Sequence, residues 1–427
     1  MRVLVLGQGA REHALVDRLV DDPDVDQVLC APGNPGIARH ARVLPADLTN
    51  IEALADLAVA ERADLTVVGP EVPLSLGVAD RFGRTGRALF GPTAAAARLE
   101  SSKAFAKAFM ARHGVPTARF RTCDTLDDAM RVVRSGTFGL PVVLKADGLA
   151  AGKGVVVAED QSAAEAAVLA AMRERRFGAS GDRVVIEECL TGPEVSFFVV
   201  CNGAEATSIG TAQDHKRIFD NDRGPNTGGM GAFAPSPLVD SPLEGRIMRE
   251  IVDPVMAGMA SEGHPFCGFL YVGLMLTADG PKVIEFNVRL GDPEAQVILS
   301  LVRTPLAALL AAAARGDRAL TRVEIAQERR VGVVLASRGY PESSQSGQPI
   351  TGTQAAEELE GVRVYHAGTA SQHGHLVTAG GRVLTVVGAS SDFQTAIARA
   401  YRGVERIRFD GMQFRTDIGR KALALQR

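Results

Sequence analysis

Residues 145–154 read Lys145-Ala146-Asp147-Gly148-Leu149-Ala150-Ala151-Gly152-Lys153-Gly154 and join two β-rich runs, Val142 to Ala146 and Val155 to Ala158. The pattern predicts a hairpin with an unusually glycine-rich tip. It carries the lysine and glycines of a Walker loop without their spacing. Only three residues separate Gly148 from Gly152, Gly154 replaces the Ser or Thr that would hold a metal ion, and a strand follows where a helix should start. Such a tip can fold over a triphosphate, its amides and the Lys145 and Lys153 ammoniums meeting the phosphate charge. Only seven of the 47 basic residues are lysine, so a lysine kept in a glycine loop reads either as a need for a compact ammonium or, equally, as chance retention. A lone glycine-rich loop is usually a solvated hairpin, and its neighbours must decide.

The deciding neighbour is Val283-Ile284-Glu285-Phe286-Asn287-Val288-Arg289-Leu290-Gly291-Asp292-Pro293-Glu294. A period of two puts Glu285, Asn287 and Arg289 on one strand face, with Ile284, Phe286 and Val288 on the other. Two oxygen donors and a guanidinium suit a polyphosphate carrying a hard cation. By itself a polar strand face turned to water is the better reading, and the lysine hairpin reverses it. Between the two lies Val184 to Glu194, where a strand ending in Glu187 and Glu188 can offer backbone groups to an adenine edge and a carboxylate to ribose.

Upstream, residues 1 to about 100 alternate apolar strands (Val3 to Leu6, Gln27 to Ala31, Leu65 to Gly69, Ala88 to Gly91) with helices, the pattern of a parallel sheet covered on both faces. Gly7-Gln8-Gly9-Ala10-Arg11-Glu12 follows the first strand, where free amides can hold an anion. It is no dinucleotide fingerprint: the third glycine is missing and the second strand ends in Cys30-Ala31, with no acid for a ribose hydroxyl. Asn34 and Glu71 sit just past strands two and three and face the same crevice, although taken alone ordinary turn chemistry is the better reading of both. Helices are expected from Lys103 to Arg112, from Thr125, and over 159–176, with a long polar loop from Gln213 to Pro237 and a strand-rich unit from Val331.

A net charge of −3 offers no field for a nucleic-acid backbone. No stretch is long and apolar enough for a membrane span, and five scattered cysteines read as free thiols in a reducing, cytoplasmic setting. The expected partners are small molecules; the oligomeric state stays open, with a monomer favoured.

A glycine-rich lysine hairpin, an acidic hinge strand and a later Glu-x-Asn strand, in that order, resemble the ATP-grasp nucleotide site. Within that superfamily the chain resembles the phosphoribosylamine–glycine ligases, or glycinamide ribonucleotide synthetases. The resemblance rests on Arg289-Leu290-Gly291-Asp292-Pro293-Glu294, on Gln213 to Arg217 with Gly224 to Gly231, on Gly9 to Ala14 and Ala31 to Asn34, and on Tyr365 to Thr369 and Asp417 to Gly419. It covers nearly the whole chain. Two departures stand out: Ala10 replaces a frequent glycine, and Phe269 to Leu276 lacks the acid that many ATP-grasp enzymes use for metal.

The resemblance implies a mixed α/β and α+β multidomain chain. A Rossmann-like parallel-sheet domain would span 1–100, an ATP-grasp domain 101–325 with a lid near 123–190, and a small strand-rich domain 326–427. It implies ligation of glycine to 5-phosphoribosylamine, through glycyl phosphate, with ATP and Mg²⁺ or Mn²⁺. Lys103, Lys145, Gly152, Lys153 and Gly154 would meet phosphates, and Glu187, Glu188, Leu190 and Glu194 adenosine. Glu285 and Asn287 would hold the metal, with Arg289, Lys145 and Asp214 catalytic. Gly9, Arg11, Glu12, Asn34, Glu71, Asp214, Lys216, Gly229, Arg289, Asp292 and Pro293 would hold the other substrates. Two rivals remain: another ATP-grasp carboxylate–amine ligase, and a nucleotide-binding module without turnover.

Overall fold

A computed structural model describes residues 1–149, 154–317, 320 and 322–425. Its N-terminal sheet is parallel, with Arg2–Gly7 in the middle, Gln27–Pro32 and Arg42–Val43 on one side, and Leu65–Val68 and Leu89–Phe90 on the other. Val3, Val5, Leu4 and Leu6 are all fully buried although they alternate faces, because helices cover both sides. The order reverses between Arg2–Gly7 and its two neighbours, so a crevice opens at the strand C-termini, beside Gly9, Asn34 and Glu71.

A four-stranded sheet runs Phe120–Cys123, Val184–Glu188, Val142–Ala146, Val155–Ala158. The expected hairpin forms, with Lys145 paired to Val155. The helix Leu126–Ser135 beside this sheet starts where the Thr125 side chain accepts from Asp128 N–H and stops at Gly136, φ +64°. The helix expected over 159–176 is shorter: Gln161–Val168 is α and Leu169–Arg173 a wider π turn.

The third sheet has eight antiparallel strands in the order Gly280–Asn287, Cys267–Thr277, Glu194–Asn202, Ala206–Asp214, Gly231–Ala234, Arg329–Ala336, Arg382–Ser390, Val362–His366. It therefore runs unbroken from the segment of Glu285 into the C-terminal strands. Phe197 and Phe198 are fully buried on its opposite faces, each contributing about 1.5–3 kcal/mol by burial.

Two expectations need correction. The segment Gln213 to Pro237 is not structureless: Arg217–Phe219 and Arg223–Asn226 form a hairpin and Gly231–Ala234 is an interior strand of the large sheet. The simple alternation over 283–289 also fails. A bulge opposite Gly273 and Leu274 shifts the phase, so Val283, Phe286 and Val288 are buried while Ile284 leaves their face.

Candidate active site

The hairpin tip is docked at its base. Asp147 accepts from Ala104 N–H at 3.1 Å and Ser102 Oγ lies 3.3 Å away, while Ser102 Oγ itself accepts from Phe105 N–H; all of this happens at the start of helix Lys103–Arg112. Lys103 Nζ donates to Gly148 O at 2.8 Å. Gly154 O accepts from Ala146 N–H at 2.8 Å. Gly152 and Lys153 lie outside the described residues.

Lys145 reaches from strand Val142–Ala146 to the metal-candidate strand, donating to Ile284 O at 3.0 Å, the carbonyl exposed by the bulge. Its Nζ also lies 2.5 Å from Glu187 Oε1. The other Glu187 oxygen is 2.5 Å from Lys107 Nζ, and Lys107 donates to Thr117 Oγ1 at 2.7 Å. Burial lowers the Lys107 pKa to about 8, against the pull of Glu187. Sequence alone gives Lys107 no role in the site; its signal there is that it follows Lys103 by one helical turn.

Glu285 and Asn287 share one face of Gly280–Asn287, opposite Gly273 and Tyr271. Burial pushes the Glu285 carboxyl up, yet Lys216, Lys145, Lys103 and Arg289 together hold it below its usual range, so it stays ionised. Among the described residues no group of three or more His, Cys, Asp or Glu is placed for a metal. The two oxygen donors nevertheless fit a hard divalent cation completed by phosphate oxygens and water.

Arg289 is pinned from two sides: Nη2 lies 2.9 Å from Glu100 Oε1 and Nε donates to Glu71 Oε2 at 3.2 Å. Glu100 also accepts from Val288 N–H at 2.7 Å, and burial raises its pKa. Burial pushes Glu71 up as well, but Arg289 and Arg11 hold it below its usual value. Glu100, like Lys107, escaped the sequence reading.

The loop residues meet the Arg289–Glu294 turn. Gly229 has φ +112°, and a Cβ there would fall 2.4 Å from Pro293 Cδ, so only glycine permits this approach. Asp292 Oδ1 accepts from Gln296 Nε2 at 2.8 Å. Burial raises the Asp214 pKa, with Glu294, Glu194 and Glu285 adding to it and Lys216 opposing.

Several expected contacts are taken by the protein itself. Lys216 Nζ lies 2.6 Å from Glu194 Oε2, joining a residue expected at substrate to one expected at adenosine. Glu188 accepts from Arg119 N–H and Nε at 2.9 and 2.6 Å, which ties it to the segment before Phe120–Cys123 and away from Glu187. Leu190 is half-buried just past that strand. Glu12 accepts the Gly9 N–H at 2.5 Å and Arg11 Nε at 2.7 Å. It packs so closely that a Cβ on Gly69 would lie 2.2 Å from Glu12 Oε1. The amide expected to hold an anion thus already holds a carboxylate. Asn34 Nδ2 donates to Gln8 O and His366 O, both at 2.8 Å, and its Oδ1 accepts from the Gly36 and Ile37 amides, so ordinary turn chemistry accounts for it.

No helix among the described residues is long and apolar enough to cross a membrane. The sequence matches three family descriptions in tandem: "Phosphoribosylglycinamide synthetase, N domain" over 1–100, "ATP-grasp (A) domain" over 101–295 and "C domain" over 330–421. A phosphoribosylamine–glycine ligase of Ralstonia nicotianae is 48% identical over 426 residues, covering 99% of this chain and all of that one. The crystal structure of phosphoribosylamine–glycine ligase from Thermotoga maritima superposes with a TM-score of 0.84 at 35% identity, covering 98% of this chain and 100% of that one. A biotin carboxylase domain of Hydrogenobacter thermophilus, solved with MgADP and bicarbonate, reaches 0.73 at 18% identity over 97% of this chain and 91% of its own. That last likeness concerns the fold alone.

Proposed function

The chain belongs to the phosphoribosylglycinamide synthetase family of ATP-dependent ligases of purine biosynthesis, and from that premise we propose how its own residues carry the reaction. The observation that carries the reading is the meeting of Lys145 with the Glu285 strand at the Ile284 carbonyl, which places a lysine ammonium beside oxygen donors for a cation. Lys103 and Lys145 face the phosphates of ATP while Lys107 stays on Glu187, and the adenosine lies along Val184–Glu188 and the Leu190 backbone. Glu285 and Asn287 hold Mg²⁺ or Mn²⁺, which when bound neutralises charge on the transferring phosphoryl group.

A glycine carboxylate oxygen attacks the γ-phosphorus and ADP leaves, forming glycyl phosphate. The amine nitrogen of 5-phosphoribosylamine then attacks the acyl carbon, phosphate leaves with the C–O bond electrons, and the nitrogen gives up a proton. Arg289, fixed by Glu71 and Glu100, faces the charge that develops on the acyl phosphate. Asp214, Asp292 and Pro293 place the glycine, and the work is mainly positioning and charge neutralisation. We set domain limits near residues 100 and 325, with the lid near 123–190.

The test is ADP release with Mg-ATP and glycine, with and without 5-phosphoribosylamine generated in situ, repeated with other amino acids and with Mn²⁺. Release should require both glycine and the amine. Release indifferent to glycine would contradict the substrate assignment.

A further inference from the structure

The proposed reaction needs a place for the phosphate end of 5-phosphoribosylamine, and the residues first expected there have little to give. A phosphate dianion needs uncommitted donors and positive charge. The Gly9 amide is taken by Glu12, and both Asn34 amide hydrogens are taken by carbonyls. Arg11 is bonded to Glu12 and to Leu290 O at 3.1 Å, and Glu71 is itself an anion.

The C-terminal strands supply what is missing. Arg382 begins the strand Arg382–Ser390, whose pairing with Arg329–Ala336 carries it over the turn at Gly228. Its Nη1 donates to Gly228 O at 2.6 Å and to Asp292 O. The guanidinium lies against Gly228, where a Cβ would fall 3.0 Å from Cζ. Both bonds use Nη1, so among the described residues Nε and Nη2 make no hydrogen bond, and the side chain is 22% exposed. The Asp292 carboxylate stands between the two halves of the crevice: Oδ1 is 3.5 Å from Arg382 Nη1, and Oδ2 is 3.6 Å from where a Cβ on Gly9 would lie. The backbone around Arg382 also roofs the N-terminal crevice. The Gly368 N–H donates to Arg382 O at 2.9 Å, and His366 O, two residues before, accepts from Asn34.

We propose that Arg382 is the phosphate-binding residue for the phosphoribosyl substrate, its Nε and Nη2 edge facing a composite subsite bounded by the Gly9 turn, Asp292 and the 366–369 segment. The subsite rests on the function proposed above, and it makes the C-terminal domain a contributor to substrate recognition. An arginine suits the task because its planar fork gives two parallel bonds to one phosphate while Nη1 stays on the backbone carbonyls.

The experiment compares two acceptors for glycyl phosphate: 5-phosphoribosylamine, and hydroxylamine, which yields glycine hydroxamate and has no phosphate. Wild-type release of ADP with glycine and either amine secures the underlying reading, and its absence defeats that reading before Arg382 is tested. For Arg382→Gln, kcat/KM with 5-phosphoribosylamine should fall about a hundredfold, chiefly through KM, and by at least about tenfold more than hydroxamate formation falls. Arg382→Lys, which keeps the charge, should recover about a tenth or more of wild-type kcat/KM. Equal losses with both acceptors in both variants would make Arg382 only a brace for Gly228 and Asp292 and overturn the proposal. So would an unchanged KM for the phosphoribosyl amine.

Discussion

Two charge clusters flank the cleft and are built in opposite proportions. On the lid side, Lys107 and Lys145 share the single carboxylate of Glu187; on the other, Arg289 stands alone between Glu71 and Glu100. The lid cluster has a cation in surplus, and its lysines are flexible point charges on long stems. When a polyphosphate enters, Lys145 can turn to it while Lys107 keeps the buried Glu187 from being left unpaired, a loss that would be severe at 4% exposure. The Arg289 cluster has carboxylate in surplus and holds a planar guanidinium from two edges. One cluster is built to let go of a charge, the other to keep one still.

The contrast breaks first at Lys145. Lys145→Met removes the charge meant to transfer to the phosphates, and kcat/KM for ATP should fall roughly 10²–10³-fold. A loss below about fivefold would mean that Lys145 is only a partner of Glu187. Next comes Arg289→Lys, which keeps charge but cannot be held from two edges; about a hundredfold loss in kcat at nearly constant KM for ATP is expected. Parity with wild type would show that pinning does not matter.

Lys107→Met should be milder, about a tenfold rise in KM for ATP, because Glu187 then competes with the phosphates for Lys145. It carries a pH signature. Lys107 is charged below about 8 and neutral above it, so wild-type KM for ATP should climb as pH rises through that value. The variant, already lacking the charge, should lose this alkaline limb, and a limb that persists would assign it elsewhere. Smallest is Glu188→Gln, under about twofold on KM for ATP, since that carboxylate is bonded to Arg119 and lies outside both clusters.

Much of this architecture could be read from the chain. The parallel N-terminal sheet followed from short apolar runs buried on both faces, and the ATP-grasp assignment from the lysine hairpin and the strand of Glu285. What escaped was tertiary in origin. Lys107 and Glu100 lie in ordinary helical sequence, and only packing brings them to Glu187 and Arg289. The bulge at Ile284 is not marked on its own strand; it lies opposite Gly273 and Leu274, and it exposes the carbonyl that receives Lys145. Gly231–Ala234 was hidden in a glycine-rich stretch because its strand character comes from neighbours on both sides. The anion role of the Gly9 turn was plausible from the motif, yet Glu12, three residues on, closes the turn itself.

The most direct test of the account follows an oxygen atom. If glycine carboxylate attacks the γ-phosphorus, turnover of glycine labelled with ¹⁸O in its carboxyl group must leave one labelled oxygen in each phosphate released. Phosphate carrying that label is the predicted result. Unlabelled phosphate, formed while glycinamide ribonucleotide accumulates, would contradict the acyl phosphate and with it the roles given to Arg289 and the lysine cluster.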